Sequence, residues 1–195
     1  VRARKRYPPR RNQTLMRMRV ANSAQSSIER FMSEFFVLSQ LDLAQKNAEM
    51  FPEWGDPFRA SARNEALSLA RDVWDRDADV RTIFSTDTTF VDSTLAAYYG
   101  LPDPGPGMVV RTRVPPTDRR GGILGRPAVL ATWSHETVTS PTRLGKFVLM
   151  NVLCEDISPP PPGIGELPVP TMPMTRRERL ETLHVTNPVC RSCHE

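Results

Sequence analysis

The residues best suited to chemistry stand near the C-terminus, in the run Cys190-Arg191-Ser192-Cys193-His194. Two thiols three positions apart, followed at once by an imidazole, form the C-x-x-C-H signal of covalent haem attachment. Each cysteine can add to one vinyl group of the porphyrin as a thioether, and the adjoining histidine is placed to ligate the iron axially. The chain has only three cysteines, so two of them falling into this pattern is a specific signal. His194 is the penultimate residue. A small cytochrome wraps most of its fold after this motif, so the position predicts a fragment of a longer chain.

A second axial ligand would come from Met172, Met174 or His184, or from a residue beyond Glu195. His184 also fits a helix-end histidine that interacts with the terminal carbonyls. A rival chemistry is a structural zinc site built from Cys190, Cys193 and His194 with either Cys154 or His184. Zinc prefers four tetrahedral ligands, commonly as two separated pairs. Adjacent Cys193 and His194 would crowd each other as co-ligands, and the sequence has no second C-x-x-C. A third alternative is a non-catalytic helical scaffold or interaction domain in which the motif is inert. No nucleophile–base–orienter set, paired carboxylates or phosphate loop stands out, so neither a hydrolase nor a transferase is argued. By itself the chain reads as an electron-transfer module rather than a catalyst. Its redox partner is not encoded in any motif.

These residues need elements to position them. At 195 residues the chain can build one sizeable core or two small domains. An apolar fraction of 39% suits a soluble protein that is lean in core-forming residues, and 19 prolines predict long irregular connections. The net charge of +4 is unevenly placed: Arg2, Arg4, Lys5, Arg6, Arg10, Arg11, Arg17 and Arg19 precede Val20 with no acid among them. Without that arm the body is mildly acidic, so a nucleic-acid footprint is excluded for the body and left only to the arm. No run of about 18 apolar residues predicts a membrane span. The basic start leads into Val20-Ala21-Asn22-Ser23 without the apolar stretch of a secretory signal. Since c-type haem is attached outside the cytoplasm, a periplasmic or secreted protein with a native start further upstream is expected.

The fold expected is mainly α, in two small helical halves joined by Pro-rich loops and ending in the start of a cytochrome-c-like module. Residues 1–22 read as a disordered basic arm, foreign to the domain that follows. Residues 23–101 read as a helical domain. Ser26-Ser27-Ile28-Glu29 has the form of a capping box ahead of an apolar stripe of Ile28, Phe31, Met32, Phe35, Phe36 and Leu38. Asp56-Pro57 opens a second helix to about Trp74, with Ala62, Ala66, Leu69, Ala70 and Val73 inward. Asp75, Asp77 and Asp79 lack the glycine and terminal glutamate of a calcium loop and read as solvated caps of a short helix over 80–84. Ser93 to Tyr99 forms a helix closed by Gly100, with Tyr98 and Tyr99 packed on the preceding helices.

Residues 102–118 read as a Pro/Gly-rich linker with one short strand over 108–114. Residues 119–195 open on Arg119-Arg120-Gly121-Gly122, read as a tight turn into a helix to Trp133 rather than a phosphate cradle. His135 beside Glu136 reads as an exposed loop histidine, and Cys154 as a small buried hydrophobe near a helix end. Ser140-Pro141 starts a helix with Leu144, Phe147, Val148 and Val152 on its apolar face. A Pro-rich spacer covers 158–174, and Thr175-Arg176-Arg177-Glu178 is a second capping box before the haem motif at 190–194.

Several of these segments recur in a fixed order elsewhere. Arg119 to Leu124, Thr139 to Leu149, Pro159 to Pro162, Arg177 to Leu180 and Cys190 to His194 closely resemble the cytochrome-c-like domain of large planctomycete-type cytochrome proteins. Arg30-Phe31, Phe51-Pro52, Thr89-Phe90-Val91 and Leu95 to Gly100 resemble the helical domain of unassigned activity that neighbours it. The resemblance covers about Ser23 to the end. It implies a multidomain, haem-c-bearing protein outside the cytoplasm, with Cys190 and Cys193 as the thioether residues and His194 as the iron ligand. The remainder of the parent protein would be its structural partner.

Overall fold

The structure is a computed structural model that describes residues 22–114 and 121–157, with Arg17, Met172, 174–179, 181–182, Pro188 and Arg191. The basic arm, the Pro-rich spacer and the Cys190–His194 run therefore lie, except for these residues, outside the described part. The fold is mainly α-helical with a small two-stranded sheet, as expected. The chain divides into two compact units. One comprises 1–44 and 48–132, the other 45–47 and 133–195.

The first unit is assembled around one long helix. α1 spans Asn22–Phe35 and α2 spans Asp56–Asp75. α2 packs against α1, the strand β1 (Thr88–Val91), α3 (Ser93–Tyr99) and α4 (Pro127–Thr132). Its length follows from local chemistry. Pro57 sits in the first turn, where its missing N–H costs nothing, and alanine, leucine and arginine dominate the interior. Ala62, Ala66, Leu69, Ala70 and Val73 are all buried, as their spacing predicts. Full burial of Leu69 alone is worth about 1.5–3 kcal/mol. The N-cap is Gly55 rather than Asp56, whose carboxylate instead pairs with Arg59 one turn on.

α2 ends in a Schellman-type closure. Asp77 takes a left-handed φ of 53°, and the Ala78 N–H reaches back to the Val73 carbonyl at 3.0 Å. Asp79 then caps the 3-10 turn Val80–Phe84, its carboxylate accepting from the Arg81 N–H at 2.9 Å. All three aspartates are exposed, Asp75 at the end of α2 and Asp77 and Asp79 in the turn that follows. α3 is capped by Asp92 on the Leu95 N–H (3.0 Å) and closed by Gly100 at φ 65°, with Leu101 bonding back to the Ala96 carbonyl.

The first capping box does not form. α1 is already helical at Asn22, so Ser26 and Glu29 lie inside it, where a capping residue's extended backbone is excluded. Glu29 pairs instead with Arg71 of α2. The apolar stripe is also cut short. Val37 turns left-handed at φ 55°, an uncommon state for a β-branched residue, and starts a separate 3-10 turn, Leu38–Leu41. Met32, Phe36, Leu38 and Leu41 enter the core, while Phe31 is 55% exposed and stacks on Phe35.

β1 pairs antiparallel with β2 (Val110–Arg113), from Thr88 opposite Arg113 to Val91 opposite Val110. After β2, Gly122 makes the turn its sequence suggested. Its φ is 63°, and a Cβ there would lie 2.1 Å from the Phe84 carbonyl oxygen. The Gly122 N–H donates to the Thr86 carbonyl at 2.8 Å, and a 3-10 turn, Ile123–Gly125, leads into α4.

The second unit holds α5 (Pro141–Phe147), a π-helical turn (Val148–Val152) and α6 (Arg176–Arg179). Ser140 caps α5 through the Arg143 N–H, as predicted. Phe147 is buried and stacks on Trp133 at 4.9 Å. Leu144, Val148 and Val152 are half-buried on the face expected of them, while Leu149, Met150 and Leu153 are exposed. The second capping box forms in full. Thr175 Oγ1 accepts from the Glu178 N–H (3.2 Å), and Glu178 Oε2 accepts from the Thr175 N–H (2.7 Å). That bond holds the Glu178 carboxyl below its ordinary value.

Candidate functional site

Cys190, Cys193 and His194 lie outside the described residues, and so does His184. Of the other residues nominated as iron ligands, Met172 is 65% exposed and Met174 is half-buried just ahead of the α6 cap. Cys154, expected to be buried, is exposed. It follows the π turn at a left-handed φ of 57°, where the backbone has already left the helix. His135 is half-buried rather than exposed. Its N–H donates to the Val138 carbonyl at 2.9 Å, and its own carbonyl accepts from Lys46 Nζ at 2.8 Å. Lys46 also donates to Ser134 Oγ at 2.8 Å, and burial followed by the charge of Arg143 lowers its pKa. Among the described residues no group of three or more His, Cys, Asp or Glu could hold a metal ion.

The densest polar constellation is one that the sequence reading passed over. Glu65 projects from the buried stripe of α2 and is 1% exposed; Arg126, in the turn before α4, is wholly buried. Arg126 Nε lies 3.7 Å from Glu65 Oε1. The same oxygen accepts the hydroxyl of Tyr99 from α3 at 2.8 Å and that of Thr89 from β1. Arg126 Nη2 donates to the Thr88 carbonyl at 2.7 Å and, more weakly, to that of Thr86 at 3.4 Å. Burial, and then the adjacent Glu65 carboxylate, push the Tyr99 phenol far above its ordinary pKa. A signal was present for Glu65, since it falls three residues after Ala62 and four before Leu69, inside the apolar stripe. Arg126 had none, because its burial depends on where the turn at Gly122 delivers it.

A carboxylate, a phenol, a hydroxyl and a guanidinium within one cluster have the composition of an active site. Their burial argues otherwise. Glu65, Thr89 and Arg126 are at 0–1% exposure, so no substrate atom reaches them without unfolding the elements around them. The cluster is an internal polar network that ties α2, β1, α3 and the α4 turn together, with Arg126 Nε and Nη1 buried and not hydrogen-bonded.

Residues 6–101 match PSD4, and residues 120–195 match PSCyt3. Both are planctomycete-type, cytochrome-like domains, each described as a protein of unknown function (DUF1592 for PSD4, DUF1588 for PSCyt3). The PSD4 match starts at residue 6 and so runs through most of the basic arm that had read as foreign. The PSCyt3 match contains Cys190, Cys193 and His194. β2 falls in neither match, and Gly122–Thr132 falls in PSCyt3 although it packs in the first unit. No curated protein and no solved structure matches the chain. Among the described residues no helix is long and apolar enough to cross a membrane.

Proposed function

We propose that this chain carries the haem-attachment end of a c-type cytochrome-like module within a larger protein exported from the cytoplasm. One observation carries the reading: Cys190, Cys193 and His194 stand in C-x-x-C-H order inside the PSCyt3 match. The donor set suits the group. Cys190 and Cys193 would hold the haem through thioethers, and the imidazole of His194 would ligate its iron. When bound, the haem supplies one-electron transfer. The protein's part is to hold it and to exclude water around it. A second iron ligand would come from Met172, Met174 or His184, or from outside these residues.

The test is expression of the chain in a periplasm that contains haem-maturation machinery, followed by peptide mass analysis and an absorption spectrum. The peptide bearing Cys190 and Cys193 is expected to carry the added mass of one porphyrin. A colourless product that binds zinc, or one with both thiols free, would sink the haem reading.

A further inference from the structure

The buried pair of Glu65 and Arg126 joins two segments that family matching assigns to different domains. Glu65 lies in the PSD4 match and Arg126 in the PSCyt3 match. We propose that residues 121–132 are an integral part of the PSD4-type body, seated there by Arg126 as the counter-ion of Glu65.

Three observations support this. First, Arg126 is fully buried, and the partners of its guanidinium are Glu65 and the Thr86 and Thr88 carbonyls, all from the PSD4 match. Removing one member of a buried ion pair leaves an uncompensated charge, among the most damaging changes a core can suffer. Second, Gly122 approaches the Phe84 backbone so closely that no other residue fits without displacement, and its N–H satisfies the Thr86 carbonyl. That contact is made for this segment. Third, Ile123, Ala128 and Val129 are wholly buried, and α4 packs on α2 and on the Leu38–Leu41 turn. A body that ended at residue 101 would lack β2, would uncover this face, and would leave Glu65 without its cation.

Hydrogen exchange on the full chain decides the matter. The Gly122 and Leu130 amides are expected to exchange through the same opening as the Leu69 and Ala70 amides of α2, with the same response to low denaturant. Arg126→Met is expected to speed exchange at both sets together by roughly 10²–10⁴-fold. If that variant does not fold, the wild-type comparison stands by itself; where it folds, Glu65→Leu/Arg126→Met supplies a second reading. The double variant is expected to lose less than the two single losses combined, because the charges leave together. The proposal is overturned if Gly122 and Leu130 open at least about 10²-fold more readily than α2. It is equally overturned if the double variant shows the full combined loss.

Discussion

Arg126 Nε stands 3.7 Å from Glu65 Oε1, and neither side chain meets solvent. The relationship organises the polar interior of the first unit, because Tyr99 and Thr89 direct their hydroxyls to the same carboxylate oxygen. Tyr99→Phe keeps the ring but removes one donor from a buried charge. The expected loss is about 1.5–3 kcal/mol of unfolding free energy, read from urea denaturation at neutral pH.

The same phenol gives the unit an alkaline limit. Its pKa in the folded protein is raised by burial and by the Glu65 charge. Above the unfolded-state pKa of about 10, the unfolded chain loses a proton that the folded chain keeps, so stability is fully present below that pH and falls as pH rises above it. Denaturation midpoints measured from pH 8 to 11 should decline in the wild type and decline less in Tyr99→Phe.

Gly122→Ala puts a methyl group where the Phe84 carbonyl already lies and forces an L-residue into φ 63°. The backbone conformation alone costs about 1–3 kcal/mol, and the overlap adds to it. A lowered thermal midpoint should accompany faster exchange at the Gly122–Thr86 hydrogen bond. Gly121→Ala, with open space around its Cβ position, should leave the midpoint almost unchanged.

At the surface, hydrogen bonds from the Arg81 side chain and backbone hold the Asp79 carboxyl down to about 2. A depressed carboxyl pKa stabilises the folded state above the ordinary value of 3.8, and the effect is lost as pH falls from there toward 2. An NMR titration at low salt should find the midpoint near the low value, and Arg81→Gln should return it toward the ordinary one. Salt should weaken the effect, since both groups face water.

For the proposed haem, Cys190→Ala and Cys193→Ala should each leave one vinyl group conjugated with the porphyrin. The alkaline pyridine spectrum is then expected to shift to longer wavelength than that of the wild type, with loss of one of the two thioethers. Identical spectra for the wild type and either variant would mean that the replaced sulfur holds no haem.

Legibility followed the range of the interactions. The inward stripe of α2, the Gly100 stop and the Thr175–Glu178 box were readable because each depends on residues within a turn or two. The Ser26–Glu29 box used the same pattern and failed, since Arg71 from another helix claims Glu29 and α1 continues past the box. The pairing of β1 with β2 was half seen: the second strand has a weak alternation, but Thr88–Val91 shows its strand character only beside its partner. Cys154 was misplaced because its burial was inferred from residue type alone, and the chain carries it out of the helix at a left-handed φ of 57°.

From the sequence alone came the helical class, the turns at glycine and aspartate, and the chemistry proposed for Cys190–His194, since covalent reactivity and backbone preference belong to residues and their near neighbours. Tertiary structure decided that Glu65 and Arg126 share one buried site and that α4 packs with the first unit. A buried charge is stable only when its partner arrives from elsewhere in the chain, and that arrival depends on every turn between them.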